Sequence, residues 1–417
     1  MSAAGRRVTA GSRLVGGSAL LLVGTNLANA LHLVYHTAMA RALGPAAYGV
    51  VAALFGLLGL GVVVSESVQT VAARYSQGEP APARLHDLLR RALGRGVLAS
   101  GLALVAYLAL SAPAAHWLGI RYPLLAFFGL SLAGLVLLPI PRGVMMGKKR
   151  FGSLSLNLVL EAAVKLAVGA ALVWWGAGEF GAVGGALAGF AAGLLVCPLQ
   201  LREVLAAPRE PSAAAGGWSY GVPVLLVHFT VIALASLDVV LARALLAPAA
   251  AGEYAVAAFI GKTILVGTLP IGRAMFPHAA EAARVGSGGR RVLATSIAVL
   301  AACAGAVILA CLLVPAALVR LVGGGAYSQA IGIVGYLAAA MTCLAASHLL
   351  LVYRLARGAL PLARLLPAAV AVQALALHLA AGSLVRFAQT TAAVALAFLL
   401  ASSGVALAAR HHGADTG

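Results

Sequence analysis

Apolar runs of about 20 residues recur from one end of this chain to the other, and that length is what a helix needs to cross the hydrocarbon core of a bilayer. They lie near residues 14–40, 50–73, 96–112, 122–141, 151–175, 181–200, 218–241, 255–276, 292–313, 328–351, 362–381 and 388–409. In lipid each segment must satisfy its own backbone hydrogen bonds, so each run predicts a helix. Composition removes the soluble alternative. Of the 417 residues, 62% are hydrophobic and 10% charged, against about 25% charged in a soluble domain. The expected class is an all-α polytopic membrane protein of about twelve transmembrane helices.

The loops orient the spans. Of the 29 basic residues, 21 fall in loops on the side of the termini and five on the other side, with Lys165, Lys262 and Arg273 inside spans. The positive-inside rule places the richer side, and both termini, in the cytoplasm. Arg142 is counted here as a cytoplasmic loop residue, next to Lys148, Lys149 and Arg150. The net charge of +18 is spread between apolar runs and not gathered on one patch, which argues against a nucleic-acid partner. Arg6, Arg7 and Arg13 precede the first run, and Ala28-Asn29-Ala30 has the form of a signal cleavage site. The run continues past it, so the expectation is an uncleaved first span. Cys197, Cys303, Cys311 and Cys343 sit in apolar stretches without Cys/His spacing, so no metal and no cofactor are expected.

The chain reads as two halves. Residues 40–56 (ARALGPAAYGVVAALFG) and 242–261 (ARALLAPAAAGEYAVAAFIG) repeat Arg, Leu, Pro, Tyr and an apolar run in order, with a glycine near each tyrosine. Each copy joins the first two spans of its half. The predicted division is an N-terminal six-helix bundle at 1–200, a Pro- and Ala-rich cytoplasmic linker at 201–217, and a C-terminal six-helix bundle at 218–417.

These residues also carry a resemblance. Ala40 to Pro45 with Tyr48-Gly49 resembles the first outer loop of polysaccharide exporters in the multidrug/oligosaccharidyl-lipid/polysaccharide (MOP) superfamily, the O-antigen-type flippases. Gln69–Tyr75, Arg142–Phe151, Asp238 with Ala242-Arg243, Gly252-Glu253-Tyr254 and Phe276-Pro277 resemble later parts of the same pattern, in order, over about the first 280 residues. The resemblance implies two pseudo-symmetric six-helix bundles around a central cavity. It implies transport of undecaprenyl-pyrophosphate-linked oligosaccharide from the cytoplasmic to the outer leaflet of a bacterial inner membrane, with other glycan-assembly membrane proteins as further partners.

Charges inside spans are costly and usually face a cavity or a partner. Glu161 and Lys165 are four apart and share a helix face, with Asn157 on the same stripe. They read as a self-neutralised packing pair or as a cavity wall whose lysine meets substrate. Lys262 and Arg273 are eleven apart, which brings them within about 20° on one helix face, and no acidic residue shares that face. They suit an anionic group such as pyrophosphate, unless Arg273 snorkels to the interface. Thr25, Asn29, His32 and His36 form a narrow polar stripe on the first span, suited to sugar hydroxyls or helix packing. Glu66 and Asp238 are candidates for ion coupling, and pairing of Glu66 with cytoplasmic arginines is the rival reading.

Two other function classes compete. Membrane glycan polymerases and ligases share the hydropathy but carry a large outer loop, and none is present here. No catalytic signature appears in the chain, so no enzyme is expected. A drug or metabolite exporter of the same superfamily commonly has an acidic residue in its first helix, and this first span has none.

Overall fold

The computed structural model describes residues 3–78, 81–210, 222–285, 288–357 and 366–411. The linker from 211 to 217 lies outside the described residues. Among the described residues the secondary structure is helical throughout: α1 (Ala3–Gly78), α2 (Pro82–Leu118), α3 (Tyr122–Gly129), α4 (Ser131–Leu137), α5 (Pro139–Gly147), α6 (Phe151–Trp174), α7 (Gly178–Gln200), α8 (Arg202–Leu205), α9 (Val222–Leu245), α10 (Pro248–Val285), α11 (Gly289–Leu313), α12 (Pro315–Gly323), α13 (Ala330–Ala356), α14 (Leu366–Leu379) and α15 (Leu384–His411).

Ten helical stretches among the described residues are long and apolar enough to cross a membrane. The first, Leu20–Gln77, holds two of the expected spans. They part at Gly44, whose φ of 73° and ψ of 174° interrupt the helix, and Pro45 opens the next limb. Proline suits a first helical turn, because the N–H it lacks would have had no partner there. With this division, and with the 14-residue apolar helix α14, the passes match the twelve expected. The fourth pass is one apolar run, Tyr122–Gly147, broken into α3, α4 and α5. It extends six residues beyond the expected boundary at 141, so Arg142 is helical and not a loop residue. α2 is 37 residues long, about 55 Å at 1.5 Å per residue. Its first turns, with Arg84, Arg90, Arg91 and Arg95, therefore project beyond a hydrocarbon core of about 30 Å.

The chain forms two compact units, and their boundary does not follow the sequence simply. One takes the described residues of Met1–Ala42 and Val64–Gly217, and the other takes those of Leu43–Val63 and Trp218–Gly417. The segment Leu43–Val63 thus belongs with the second unit.

In the first unit α6 and α7 pack closely through glycine. A Cβ on Gly185 would stand 2.6 Å from the Gly169 Cα, and one on Gly189 would stand 3.0 Å from the Lys165 Cβ. Without a hydrophobic drive between helices in lipid, such backbone approach supplies the van der Waals contact that holds them. At one end of the unit Leu85, Leu89, Leu138, Ile140, Val144, Met145, Leu154, Leu201 and Val204 form one buried cluster tying α2, α5, α6 and α8 together.

The second unit is built around α13. Ile333, Val334, Leu337, Ala338 and Met341 are all fully buried while Gly332, Tyr336 and Ala339 are exposed, so one broad face of this helix is enclosed. The repeat is visible here in three dimensions. Pro45 and Pro248 each open a helix, and Tyr48 and Tyr254, at matching places in the two copies, are buried at 1% and 0% exposure. Gly252 lies so close to Pro45 that a Cβ would run into its carbonyl group.

Candidate functional site

Each unit holds a network of charged and polar side chains within its apolar helices. In the first, the centre is Asn157 on α6. Its amide accepts from Arg142 Nε at 2.8 Å and donates to the Gly193 carbonyl at 2.9 Å and to Gln200 Oε1 at 2.9 Å. Arg142, carried in by α5, reaches past Asn157 to Glu161, with Nη2 2.5 Å from Oε2. Asn157 and Arg142 are both buried. A buried guanidinium is tolerable only with its donors engaged and its charge balanced, and α5, α6 and α7 together meet that need.

Glu161 is therefore paired with Arg142, a cation that the i, i+4 reading did not supply. Lys165 lies one turn further on α6, with Nζ 4.3 Å above the centroid of the Tyr35 ring. That geometry is a cation–π contact. Tyr35 is held in place by donating its hydroxyl to the Ala182 carbonyl at 2.7 Å. The polar stripe of the first span divides on folding. Asn29 is exposed, while His32 and His36 are half-buried. The His36 ring meets Tyr35 edge to face at 5.4 Å, and His32 Nδ1 is buried without a hydrogen-bond partner. Glu66 is exposed, and its carbonyl accepts from Thr70.

In the second unit Asp238 on α9 is fully buried. It accepts from the Val239 amide at 2.8 Å and from the Tyr254 hydroxyl at 3.0 Å, and Tyr254 also bonds Thr391 at 2.9 Å. Lys262 Nζ stands 3.6 Å from Asp238 Oδ1. The expectation that no carboxylate accompanies Lys262 holds along its own helix and fails across the neighbouring one. Arg273, three turns further along α10, is exposed. Glu253, buried at the start of α10, accepts from the Ala330 amide at 2.9 Å and so caps α13.

Several of these residues were not singled out in the sequence. Arg142 was hidden because its charge made the apolar run seem to end. Tyr35, Gln200 and Thr391 are polar groups inside apolar runs, which is the one signal that would have found them. Among the described residues no group of three or more His, Cys, Asp or Glu is arranged to hold a metal.

The family model described as "Polysaccharide biosynthesis protein" matches residues 14–282. The chain belongs to this polysaccharide biosynthesis protein family. The match covers the first unit from residue 14 on, the Leu43–Val63 segment and the Asp238–Lys262 pair. Comparison with curated protein sequences gives no match. Solved structures show how this member of the family folds. A multidrug resistance transporter of the MATE family of the MOP superfamily, inward-facing, superposes with a TM-score of 0.70 at 12% identity, over 92% of this chain and 95% of that one. An outward-facing MATE transporter gives 0.64 at 13% identity, over 96% and 95%. The lipid II flippase MurJ, in an inward closed conformation, gives 0.65 at 10% identity, over 92% and 87%. This polysaccharide biosynthesis protein is thus a multi-pass membrane protein with the MOP transporter fold.

Proposed function

We propose that the protein is a flippase that carries undecaprenyl-pyrophosphate-linked oligosaccharide from the cytoplasmic to the outer leaflet of a bacterial inner membrane by alternating access, with both termini in the cytoplasm. The observation that carries this reading is the charge held within the apolar spans of each unit. In the first, Arg142 pairs with Glu161, and Lys165 stands over the Tyr35 ring one turn further along α6. In the second, Lys262 faces Asp238, and Arg273 stands exposed further along α10. Cations at membrane depth are expensive and persist where an anionic ligand uses them. A lipid-linked pyrophosphate is such a ligand, and the polysaccharide family supports the sugar it bears.

In this reading Lys165 and Arg273 meet phosphate oxygens, and Lys262 does so with its charge partly balanced by Asp238. Glu161 moderates the first site, so that phosphate is bound without being trapped. Asn29, His32 and His36 offer hydrogen bonds to sugar hydroxyls, and the prenyl chain stays in lipid. Export of a small drug is the second reading, favoured by the fold shared with the multidrug transporters. Proteoliposomes loaded with a fluorescent undecaprenyl-pyrophosphate disaccharide decide between them. Flipping that exposes the sugar to an external lectin, and that falls at least about tenfold in Lys165→Ala, supports the flippase. Protein that leaves the lipid-linked sugar in place while exporting a drug refutes it.

A further inference from the structure

The second unit contains two histidines that none of the roles above uses. His348 on α13 is 4% exposed, and its Nε2 is buried without a hydrogen-bond partner. Its ring meets that of His228 on α9 edge to face, with centroids 5.2 Å apart. On its other side the ring lies against Gly272 of α10, where a Cβ would come within 3.2 Å of Cε1. The next residue on α10 is Arg273, which is exposed. Three helices thus bring two imidazoles against the backbone of α10 at the residue before Arg273.

The chemistry of this cluster selects its ligand. A metal ion is disfavoured, because the guanidinium repels it and only two imidazoles are present. A neutral packing role leaves a buried polar nitrogen unsatisfied, which folded proteins avoid. An anion suits all three groups, since Arg273 supplies charge and a two-donor fork while each imidazole supplies an N–H. We propose that Arg273, His348 and His228 form a phosphoryl-binding subsite of the second unit, taking the pyrophosphate of the prenyl-linked substrate. Arg273 is its exposed entrance. The His348 ring turns about its Cβ–Cγ bond, beside a glycine that leaves it room, to present Nε2 to the bound oxygen. His228 braces the ring. The assignment rests on the flippase reading and adds two histidines to it.

The test uses the full chain in phosphatidylcholine nanodiscs, with isotope-labelled histidine observed by nitrogen NMR. Farnesyl pyrophosphate is the probe, with farnesol and added phosphatidylglycerol as comparisons. The expected result is that one imidazole signal, missing in His348→Phe, moves as farnesyl pyrophosphate saturates and stays fixed with farnesol or phosphatidylglycerol. Affinity for the pyrophosphate should weaken by about tenfold in His348→Phe, the worth of one charge-assisted hydrogen bond. Saturable binding that leaves the His348 signal unmoved overturns the subsite while the flippase reading stands. An equal shift with phosphatidylglycerol overturns it in favour of a lipid headgroup site. No binding of the pyrophosphate at all overturns both. The shift is read in the unmodified protein, and His348→Gln supplies the assignment and the affinity comparison where His348→Phe fails to fold.

Discussion

Replacing Glu161 by leucine leaves a guanidinium stranded. The Arg142 and Glu161 side chains are 10% and 13% exposed, with Nη2 and Oε2 2.5 Å apart. Removing one partner of a buried ion pair costs about 3–5 kcal/mol. Arg142 would keep the bond to Asn157 Oδ1 at 2.8 Å, which lowers the cost. Lys165, one turn along the same helix, would add like-charge repulsion, which raises it. Together these place Glu161→Leu about 3 kcal/mol below the parent protein. The double variant Arg142→Met/Glu161→Leu should recover part of that loss, because a buried pair replaced by apolar groups of similar volume is often close to neutral. A deficit of about 1–2 kcal/mol should remain, since Asn157 Oδ1 then lacks its donor. Equilibrium unfolding in mixed micelles measures all three proteins, and the coupling follows from the double-mutant cycle. The reasoning is refuted if the single change costs less than about 1 kcal/mol, or if the double variant is no more stable than Glu161→Leu.

Lys262→Met should destabilise by about 3 kcal/mol through the orphaned Asp238 carboxylate. Lys262→Met/Asp238→Asn should regain most of it, and a stable double variant without flipping activity would place Lys262 in the transport reaction and not only in the fold. Gly252→Ala should cost about 3 kcal/mol, the upper range for overpacking, because its Cβ would stand 2.7 Å from the Pro45 Cα and neither backbone can yield. Gly305→Ala, where a Cβ on helix α11 meets nothing within 4 Å, should instead gain a few tenths to about 1 kcal/mol. Tyr35→Phe should lose about 1 kcal/mol with its hydrogen bond to Ala182, and a drop in lipid-linked sugar flipping beyond that loss of folded protein would show that the ring positions Lys165.

Much of the architecture is a one-residue property and is legible in the chain. Hydropathy located the spans, because the cost of moving a side chain from water to lipid depends on that side chain alone. The break after the first span is also local, since Gly44 accepts a positive φ and Pro45 opens a helix. The fourth pass shows where this stops. Arg142 reads as a loop residue because an unaccompanied arginine has no place in lipid, and what makes it acceptable is Asn157, 15 positions away on another helix.

Partner choice is a pair property, and only the tertiary structure decides it. The rule of residues three and four apart sees Glu161 with Lys165, but cannot see Arg142 arriving on α5. It sees Lys262 aligned with Arg273, but not Asp238 facing Lys262 from α9. It places Asn29, His32 and His36 on one stripe, although packing leaves the first exposed and half-buries the others. Helix rotation and close approach at glycines such as Gly169 and Gly185 determine which side chains meet. In a medium of low dielectric those meetings carry most of the electrostatic energy. The sequence by itself thus determined that this protein lives in a membrane and where it crosses, and the packing of its helices decided which of its charges are joined.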